Sequence, residues 1–164
     1  MGTEGRGRAL LGHSDRVGTP NVLGSSGDGR EFPAGATFER VLVDVPCSAQ
    51  GTLRKKSKLP TRSKGFMKKI TRAQERLLRR AIEVTRPGGV VLYVTCTFGP
   101  EENEAVVSRV LADAPVDVEP LDLAVPHAPG VTAWQGEVFD ARVAAAARIY
   151  PHHLDSGGLF LCRL

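Results

Sequence analysis

The sequence predicts an α/β fold built on a mostly parallel sheet. Two apolar runs rich in β-branched residues, 40–45 and 90–94, have the character of strands buried on both faces. The segment between them carries an apolar stripe at helical spacing, and a second amphipathic segment follows the later run. A strand, a helix and a second strand in this order favour a parallel pair joined by a right-handed crossover.

Local signals predict where the two helices begin and end. The spacing of Thr71 and Gln74 is that of a capping box, so the first helix is predicted to begin at Thr71. Residues 86–89, Arg-Pro-Gly-Gly, are predicted to end it. Pro100 is predicted to open the second helix, which extends to about Ala112 and has an acidic first turn that suits the helix dipole.

Shorter elements are predicted outside this unit. Residues 21–23 indicate a short strand before a turn, residues 116–118 a further strand, and residues 159–164 a terminal strand with Cys162 in the core. Residues 124–140 are predicted to form a loop, in which Trp134 packs against its surroundings. Residues 1–19 are polar and indicate either the end of a helix or disorder.

Length and composition indicate one globular domain in a reducing setting. The chain has 164 residues, is 41% hydrophobic, and has neither a membrane-length apolar run nor a secretory leader. Its three cysteines are an odd number, and none has zinc-type spacing. We therefore expect a cytoplasmic protein without a metal site or a membrane partner.

The charge is concentrated in one stretch. Residues 54–80 hold 12 basic side chains and a single acid, Glu75, although the whole chain carries a net charge of only +4. Such a stretch favours a polyanionic partner, most simply RNA, over a solvated lysine-rich loop, which stays the alternative. The predicted RNA contacts are Arg54, Lys55, Lys56, Lys58, Lys68 and Lys69.

Two cysteines directly follow the two predicted strands. Cys47 lies in Asp-Val-Pro-Cys-Ser, residues 44–48, and Cys96 in Thr-Cys-Thr, residues 95–97. Because chemistry collects at the carboxyl ends of strands in open α/β sheets, the two thiols are expected to share one crevice. Two such thiols are compatible with three chemistries: a redox pair, a cysteine hydrolase that uses one of the histidines, and nucleophilic attack on carbon 6 of a pyrimidine. A redox pair usually has a Cys-x-x-Cys motif, which is absent from this sequence.

These motifs carry a resemblance to a known family. Signatures of the Sun-type RNA cytosine-5 methyltransferases are resembled by residues 44–48, by residues 95–104 (Thr-Cys-Thr-Phe-Gly-Pro-Glu-Glu-Asn-Glu), and by residues 148–152 together with 157–160. The resemblance extends from about Asn21 to Leu164. It implies a Rossmann-like fold, S-adenosylmethionine as the cofactor, and tRNA or rRNA as the substrate.

The resemblance also assigns roles to individual residues. Cys96 corresponds to the nucleophile that forms a covalent adduct with cytosine, and Cys47 to the second cysteine, which assists product release. Asp44 and Pro46 correspond to positions near the methionine end of the cofactor, and Asp28 to an acid that contacts its adenosine.

The sequence departs from the family in what precedes residue 21. The glycine-rich cofactor loop and the ribose-binding acid of the first two strands are not found, and Ala49 stands where the family often has glycine. The expected domain is therefore a polar segment, residues 1–20, followed by a partial catalytic domain, residues 21–164. We expect strand 40–45 to lie at an exposed edge, and strand 21–23 either to pair with it or to stay unpaired.

Two functions follow from this departure. The first is a methyltransferase that is inactive as an isolated chain. Its expected partners are RNA and a separate chain that supplies the N-terminal half. The second is a non-catalytic RNA-binding remnant of such an enzyme.

Overall fold

A computed structural model describes residues 3–35, 37–53 and 62–164. The chain divides into two compact units, Met1–Pro33 and Ala34–Leu164. The predicted boundary between residues 20 and 21 stays a prediction. None of the helices in these ranges is long and apolar enough to span a membrane.

The first unit contains the helix α1, Thr3–Val17. Residues 21–23, which were predicted to form a strand, have no strand structure. Further along, a short 3₁₀ turn spans Gly29–Glu31, and the side chain of Asp28 caps it by accepting the amide N–H of Arg30 at 3.0 Å.

The second unit is built on a five-stranded sheet. In chain order its elements are β1 Phe38–Asp44, α2 Lys64–Glu83, β2 Thr85–Thr95, α3 Glu104–Leu111, β3 Ala128–Pro129, β4 Ala133–Trp134, β5 Glu137–Val138, β6 Ala147–Ile149, α4 Pro151–Leu154 and β7 Leu159–Arg163. The sheet order is β1-β2-β7-β6-β3, and β4 pairs with β5 in a separate hairpin.

The prediction of a mostly parallel sheet was wrong for this unit. Only β1 and β2 are parallel, whereas β7, β6 and β3 each run antiparallel to their neighbours. The reason is that, among the described residues, β1-α2-β2 is the only connection that makes two neighbouring strands of the sheet parallel, whereas the last strand, β7, inserts between β2 and β6 and runs antiparallel to both. As expected, β1 lies at the edge of the sheet.

Several predicted boundaries also need correction. The helix α2 begins at Lys64, capped by Ser63, and Thr71 lies inside it, donating its hydroxyl to the carbonyl of Met67 at 2.9 Å. Residues 86–89 lie inside β2 rather than in a turn, and residues 100–103 form a turn before α3. Residues 116–118 have no strand structure, and residues 124–140 contain β3, β4 and β5.

The core lies between α2, α3 and the central strands. Leu78 of α2, Val106 of α3 and Tyr93 of β2 are fully buried within it, and Cys162 of β7 is buried as predicted. Because this packing fixes α2 and α3 against β1 and β2, the loops that leave the carboxyl ends of the two strands have a rigid base.

Candidate active site

Cys47 and Cys96 meet at the carboxyl ends of β1 and β2. Since these strands are parallel neighbours, the loops that follow them leave the sheet at the same edge. The two Sγ atoms lie 3.2 Å apart, and the amide N–H of Cys96 donates to the Sγ of Cys47 at 3.3 Å. Both thiols are partly buried and free, so the structure brings together the two cysteines singled out in the sequence.

The two thiols differ in their surroundings. Burial, and to a smaller extent the hydrogen bond with Cys96, raise the pKa of Cys47 from its ordinary value of 9.0 to about 12. A thiol with this pKa stays protonated at neutral pH, and the protonated form is a weak nucleophile. Cys47 is therefore suited to hydrogen bonding and proton exchange with its neighbour rather than to direct attack.

Cys96 lines a cavity of about 490 Å³. The other walls are Gly51 and Thr52, after β1, and residues 155–159, before and at the start of β7. Cys47 does not line this cavity. The volume falls in the range of roughly 300–1,000 Å³ that is usual for small-molecule sites, so the cavity can hold a small group next to Cys96.

Two glycines allow the walls of this cavity to pack closely. The amide of Gly51 donates to the carbonyl of Cys96 at 2.9 Å, and the amide of Gly158 donates to the carbonyl of Gly51 at 3.0 Å. A Cβ atom on Gly158 would lie 1.9 Å from the ring of Phe98, and one on Gly51 would lie 2.2 Å from the Gly158 carbonyl. Only glycine therefore permits the three segments to approach one another.

A buried carboxylate fixes the loop that carries Cys47. Glu102 is fully buried; its Oε2 accepts the amide of Ser48 at 2.8 Å and the side-chain amide of Gln74 at 3.1 Å, and its Oε1 accepts the Ser48 hydroxyl at 2.5 Å. The same Gln74 amide donates to the carbonyl of Pro46 at 2.9 Å. Residues on both sides of Cys47 are thus held to α2 and to the turn before α3.

The loop that carries Cys96 has its own hydrogen-bond network. The Thr95 hydroxyl donates to Asn103 at 2.6 Å, and the Asn103 side-chain amide donates to the carbonyl of Thr97 at 3.0 Å. The side-chain oxygen of Gln50 accepts both the Thr97 hydroxyl at 3.0 Å and the amide of Phe98 at 3.2 Å. These bonds fix the backbone on both sides of Cys96.

A buried ion pair joins this loop to the C-terminal strands. Arg148 of β6 and Glu104 of α3 are almost fully buried and pair through two parallel hydrogen bonds. Arg148 also donates to the carbonyl of Phe98 at 3.1 Å and to the Tyr150 hydroxyl at 3.2 Å. Bidentate pairing of this kind is geometrically specific, so it sets the position of β6 relative to the loop after β2.

The sequence reasoning did not find these supporting residues. Glu102 and Glu104 were assigned to a helix dipole, whereas both are buried in the networks around the cysteine loops. Gln74 was assigned to a capping box, but it is buried inside α2 and bonds to Pro46. Residues 101–104 and Arg148 were noted only as parts of the family signatures, and the density of polar residues in 101–104 does not tell a buried network from an exposed turn.

The predicted cofactor contacts lie in two places. Asp44 and Pro46 are exposed at the end of β1, on either side of the buried Val45. Asp28 lies in the first unit, where its carboxylate forms an ion pair with Arg30. The residues described by the structure include no cluster of three or more histidine, cysteine, aspartate or glutamate side chains that could hold a metal ion.

Part of the predicted RNA-contact surface is a row of cations on α2. Lys64, Lys68, Arg72 and Arg76 recur at every fourth position, and Lys69 lies beside them; all five are exposed, and we call them the basic face. Within the described ranges none of the five has an ion-pair partner. The other four predicted contacts, Arg54, Lys55, Lys56 and Lys58, lie outside the described residues.

The fold and the paired thiols define a class of protein, a Rossmann-like enzyme domain with two cysteines at adjacent strand ends. The chain belongs to the 16S rRNA methyltransferase RsmB/F family, whose sequence model matches residues 3–164. This confirms the resemblance to RNA cytosine-5 methyltransferases and extends it to residues before Asn21.

Curated relatives support the same assignment. The chain is 33% identical over 161 residues to the tRNA (cytosine(49)-C(5))-methyltransferase of Pyrococcus abyssi, covering 97% of this chain and 52% of the relative. It is 35% identical to the ribosomal RNA small subunit methyltransferase F of Erwinia tasmaniensis, covering 97% of this chain and 32% of that protein. The chain thus spans about half or less of the length of these relatives.

Solved structures confirm the Rossmann-like methyltransferase fold. A methyltransferase homologue from Pyrococcus horikoshii superposes with a TM-score of 0.82 at 29% identity, covering 98% of this chain and 50% of that one. NSun6 from the same organism, solved with SFG, gives a TM-score of 0.79 at 27% identity, covering 95% of this chain and 37% of that one.

Proposed function

We propose that the chain contributes the two cysteines of a catalytic site that methylates carbon 5 of cytosine in tRNA or rRNA, with Cys96 as the nucleophile. The observation that carries this proposal is the contrast between the thiols: Cys96 opens onto a cavity, whereas burial keeps Cys47 protonated beside it. The relatives named for tRNA and rRNA cytosine methylation support the substrate class.

The chemistry follows from the reactivity of cytosine. Carbon 5 is a poor nucleophile, but a bond from the Cys96 Sγ to carbon 6 makes it enamine-like, so that it can accept a methyl group. S-adenosylmethionine, when bound, supplies that methyl group. A base then removes the proton from carbon 5, and the bond between carbon 6 and sulfur breaks. Cys47, whose Sγ lies 3.2 Å from that of Cys96, is placed to assist this release.

The residues at the end of β1 fit the methionine end of this cofactor in part. Asp44 is exposed, and within the described residues its carboxylate has no hydrogen-bond partner, so it is available to a cationic amino group. Pro46 is exposed two residues later. Asp28, assigned to the adenosine, already pairs with Arg30. The residues assigned to the methionine end of the cofactor therefore fit it better than the residue assigned to its adenosine.

We further propose that the chain needs additional strands to work. Among the described residues β1 has no strand on its outer side, and the family's remaining cofactor contacts belong to strands on that side. The isolated chain should then bind S-adenosylmethionine negligibly and should not methylate RNA; strands that pair with β1, supplied by a longer form of this protein or by a separate partner chain, would complete the site. Calorimetry that gives micromolar binding of the cofactor would contradict this proposal.

The free cysteines fit a reducing, cytoplasmic setting.

The second candidate function is RNA binding without catalysis, which the basic face favours. Lysine and arginine at phosphates release counterions, so RNA affinity should fall with salt at a log–log slope of about −0.7 per neutralised phosphate on single strands. Changing Lys68, Lys69, Arg72 and Arg76 to glutamine should flatten this slope. An unchanged slope would show that these four side chains are solvated and do not contact RNA phosphates.

A chimera tests the catalytic proposal. The chain would replace the matching half of the Pyrococcus abyssi relative, and methyl transfer to RNA would be measured. We expect Cys96→Ala to abolish both methylation and covalent adducts, and Cys47→Ala to accumulate a protein–RNA adduct. Accumulation with Cys96→Ala instead would reverse the two roles, and an unmethylated RNA with an intact, folded chimera would favour the non-catalytic function.

A further inference from the structure

A second cavity lies beside the loops of the active site. It has a volume of about 360 Å³, and its walls include Phe98, Trp134, Tyr150, Gln50, Gln135 and Arg62. Trp134 was expected to pack against its surroundings, but it is 44% exposed on the two-residue strand β4. An aromatic ring that is partly open to solvent and lines a cavity has the features of a stacking platform.

This aromatic cavity is adjacent to the cavity of Cys96. Gln50 lines the aromatic cavity, and Gly51, the next residue, lines the cavity of Cys96. Phe98 lies two residues after Cys96, and its amide is bound by Gln50 at 3.2 Å. A strand of RNA with one base in the first cavity could therefore place a neighbouring base in the second.

The charges and hydrogen bonds of the aromatic cavity suit a base rather than a phosphate. Arg62 pairs with Glu101 at 3.2 Å and Arg148 pairs with Glu104, so neither cation is uncompensated. The Nε of Arg62 is buried and lacks a partner in the described structure. Gln50 uses its oxygen for Thr97 and Phe98, which leaves its NH₂ group for a ligand.

We propose that the aromatic cavity binds the base of a nucleotide next to the target cytosine in single-stranded RNA, stacked on Trp134. This inference rests on the proposed function and names a second base-binding subsite within it. Stacking on an aromatic side chain accepts any base, because every base has a π-face. The subsite therefore holds the strand in place and leaves the choice of sequence to other contacts.

Trp134 is the single tryptophan of the chain, so its fluorescence reports on this cavity alone. We would titrate the chain with a short single-stranded RNA and with the same RNA lacking the base beside one cytosine. The intact RNA should quench the fluorescence, and the abasic RNA should bind with little quenching. With end-labelled RNA, Trp134→Ala should weaken binding of the intact strand about five- to 140-fold, and Trp134→Phe should weaken it much less.

The matched control is Val138→Ala, which changes an 81% exposed side chain on β5 of the same hairpin. It should leave RNA affinity unchanged, so an equal loss in both variants would point to the hairpin fold and overturn the subsite. RNA binding without quenching, or with no difference between Trp134→Ala and the native chain, would overturn the subsite and leave the proposed function standing. Failure of the isolated chain to bind any RNA at low salt would overturn the subsite and the RNA-binding candidate function, whereas the catalytic proposal is decided by the chimera.

Discussion

The Sγ of Cys47 lies 3.2 Å from the Sγ of Cys96, although 49 positions separate the two residues in the sequence. The parallel pairing of β1 and β2 brings their loops to one edge, and the networks of Glu102 and Gln50 hold those loops in place. Because the two thiols are this close and their loops are fixed, an oxidant should link them to each other rather than to another thiol.

We expect a mild azo oxidant such as diamide to join Cys47 and Cys96 in the isolated chain. Each thiol loses one hydrogen, the oxidant becomes a hydrazine, and the two sulfur atoms form a bond. Mass spectrometry of peptides from the oxidised, unreduced chain should find the two cysteines linked. Cys162 is fully buried in β7 and should stay a free thiol; a linkage to Cys162, or none at all, would contradict the geometry of the pair.

Glu102 should matter far more for stability than its neighbour Glu101. Glu102→Ala would leave the buried Ser48 amide unpaired, at about 1–3 kcal/mol, and would remove the charged acceptor of the Ser48 hydroxyl and the Gln74 amide, which keep their bonds to Thr97 and Pro46. We expect a loss of about 3 kcal/mol or more in the free energy of unfolding, measured in urea.

The control for this prediction is Glu101→Ala. Its carboxylate is 38% exposed and pairs with Arg62, so the change should cost less than about 1 kcal/mol. Equal losses for the two variants would show that the buried network does not hold the cysteine loop.

Ala49 is strained in a way that glycine would relieve. Its φ of 54° lies in the left-handed region, where a Cβ atom costs roughly 1–2 kcal/mol. Ala49→Gly should stabilise the chain by about 0.5–1 kcal/mol, after the added entropy of the unfolded glycine is subtracted. Ala73→Gly, inside α2, should instead destabilise it by about 1 kcal/mol. A loss of stability in both variants would show that Ala49 is not strained.

The buried thiol of Cys162 should make stability depend on pH in the alkaline range. Burial raises the pKa of Cys162 from 9.0 to about 12. Its contribution to stability is therefore complete below pH 9, where the thiol is protonated in both states, and is lost as the pH rises towards 12. Between pH 8 and 10.5 the ionisation of Cys162 in the unfolded chain should lower the free energy of unfolding by about 2 kcal/mol.

Cys162→Ala should show a shallower decline of unfolding free energy over that pH range than the native chain. The comparison isolates Cys162 from the other alkaline groups, such as Tyr93, whose pKa is raised chiefly by burial. Parallel pH profiles would contradict the role of Cys162.

The parts of the fold that the sequence predicted well are those with local signals. The apolar runs of β1 and β2 and the thiols that follow them could be placed because strand ends and cysteines are visible residue by residue. The start of α2 was misplaced by seven residues, since Gly65 and a capping-type pair at Thr71 favoured a later start. In the folded chain, packing of Leu78 and Ala81 on the sheet supports the whole helix and overrides that local preference.

The supporting residues of the site could not be predicted because their partners are distant in sequence. Glu102 binds Ser48, 54 positions away, and Arg148 binds Glu104, 44 positions away. Trp134 was assigned to packing because an isolated tryptophan usually packs, and only the β4–β5 hairpin places it at the mouth of a cavity. Such contacts depend on the topology, which local patterns do not encode.

The most direct test of the account is to locate the bond between protein and RNA. The chimera with the Pyrococcus abyssi half would be incubated with S-adenosylmethionine and RNA containing 5-fluorocytosine, in which fluorine replaces the proton that must leave carbon 5, so release is blocked. Peptide mapping by mass spectrometry should then find the nucleotide on Cys96, with Cys47 unmodified. A nucleotide on Cys47, or an adduct that survives in Cys96→Ala, would contradict the assignment of Cys96 as the nucleophile.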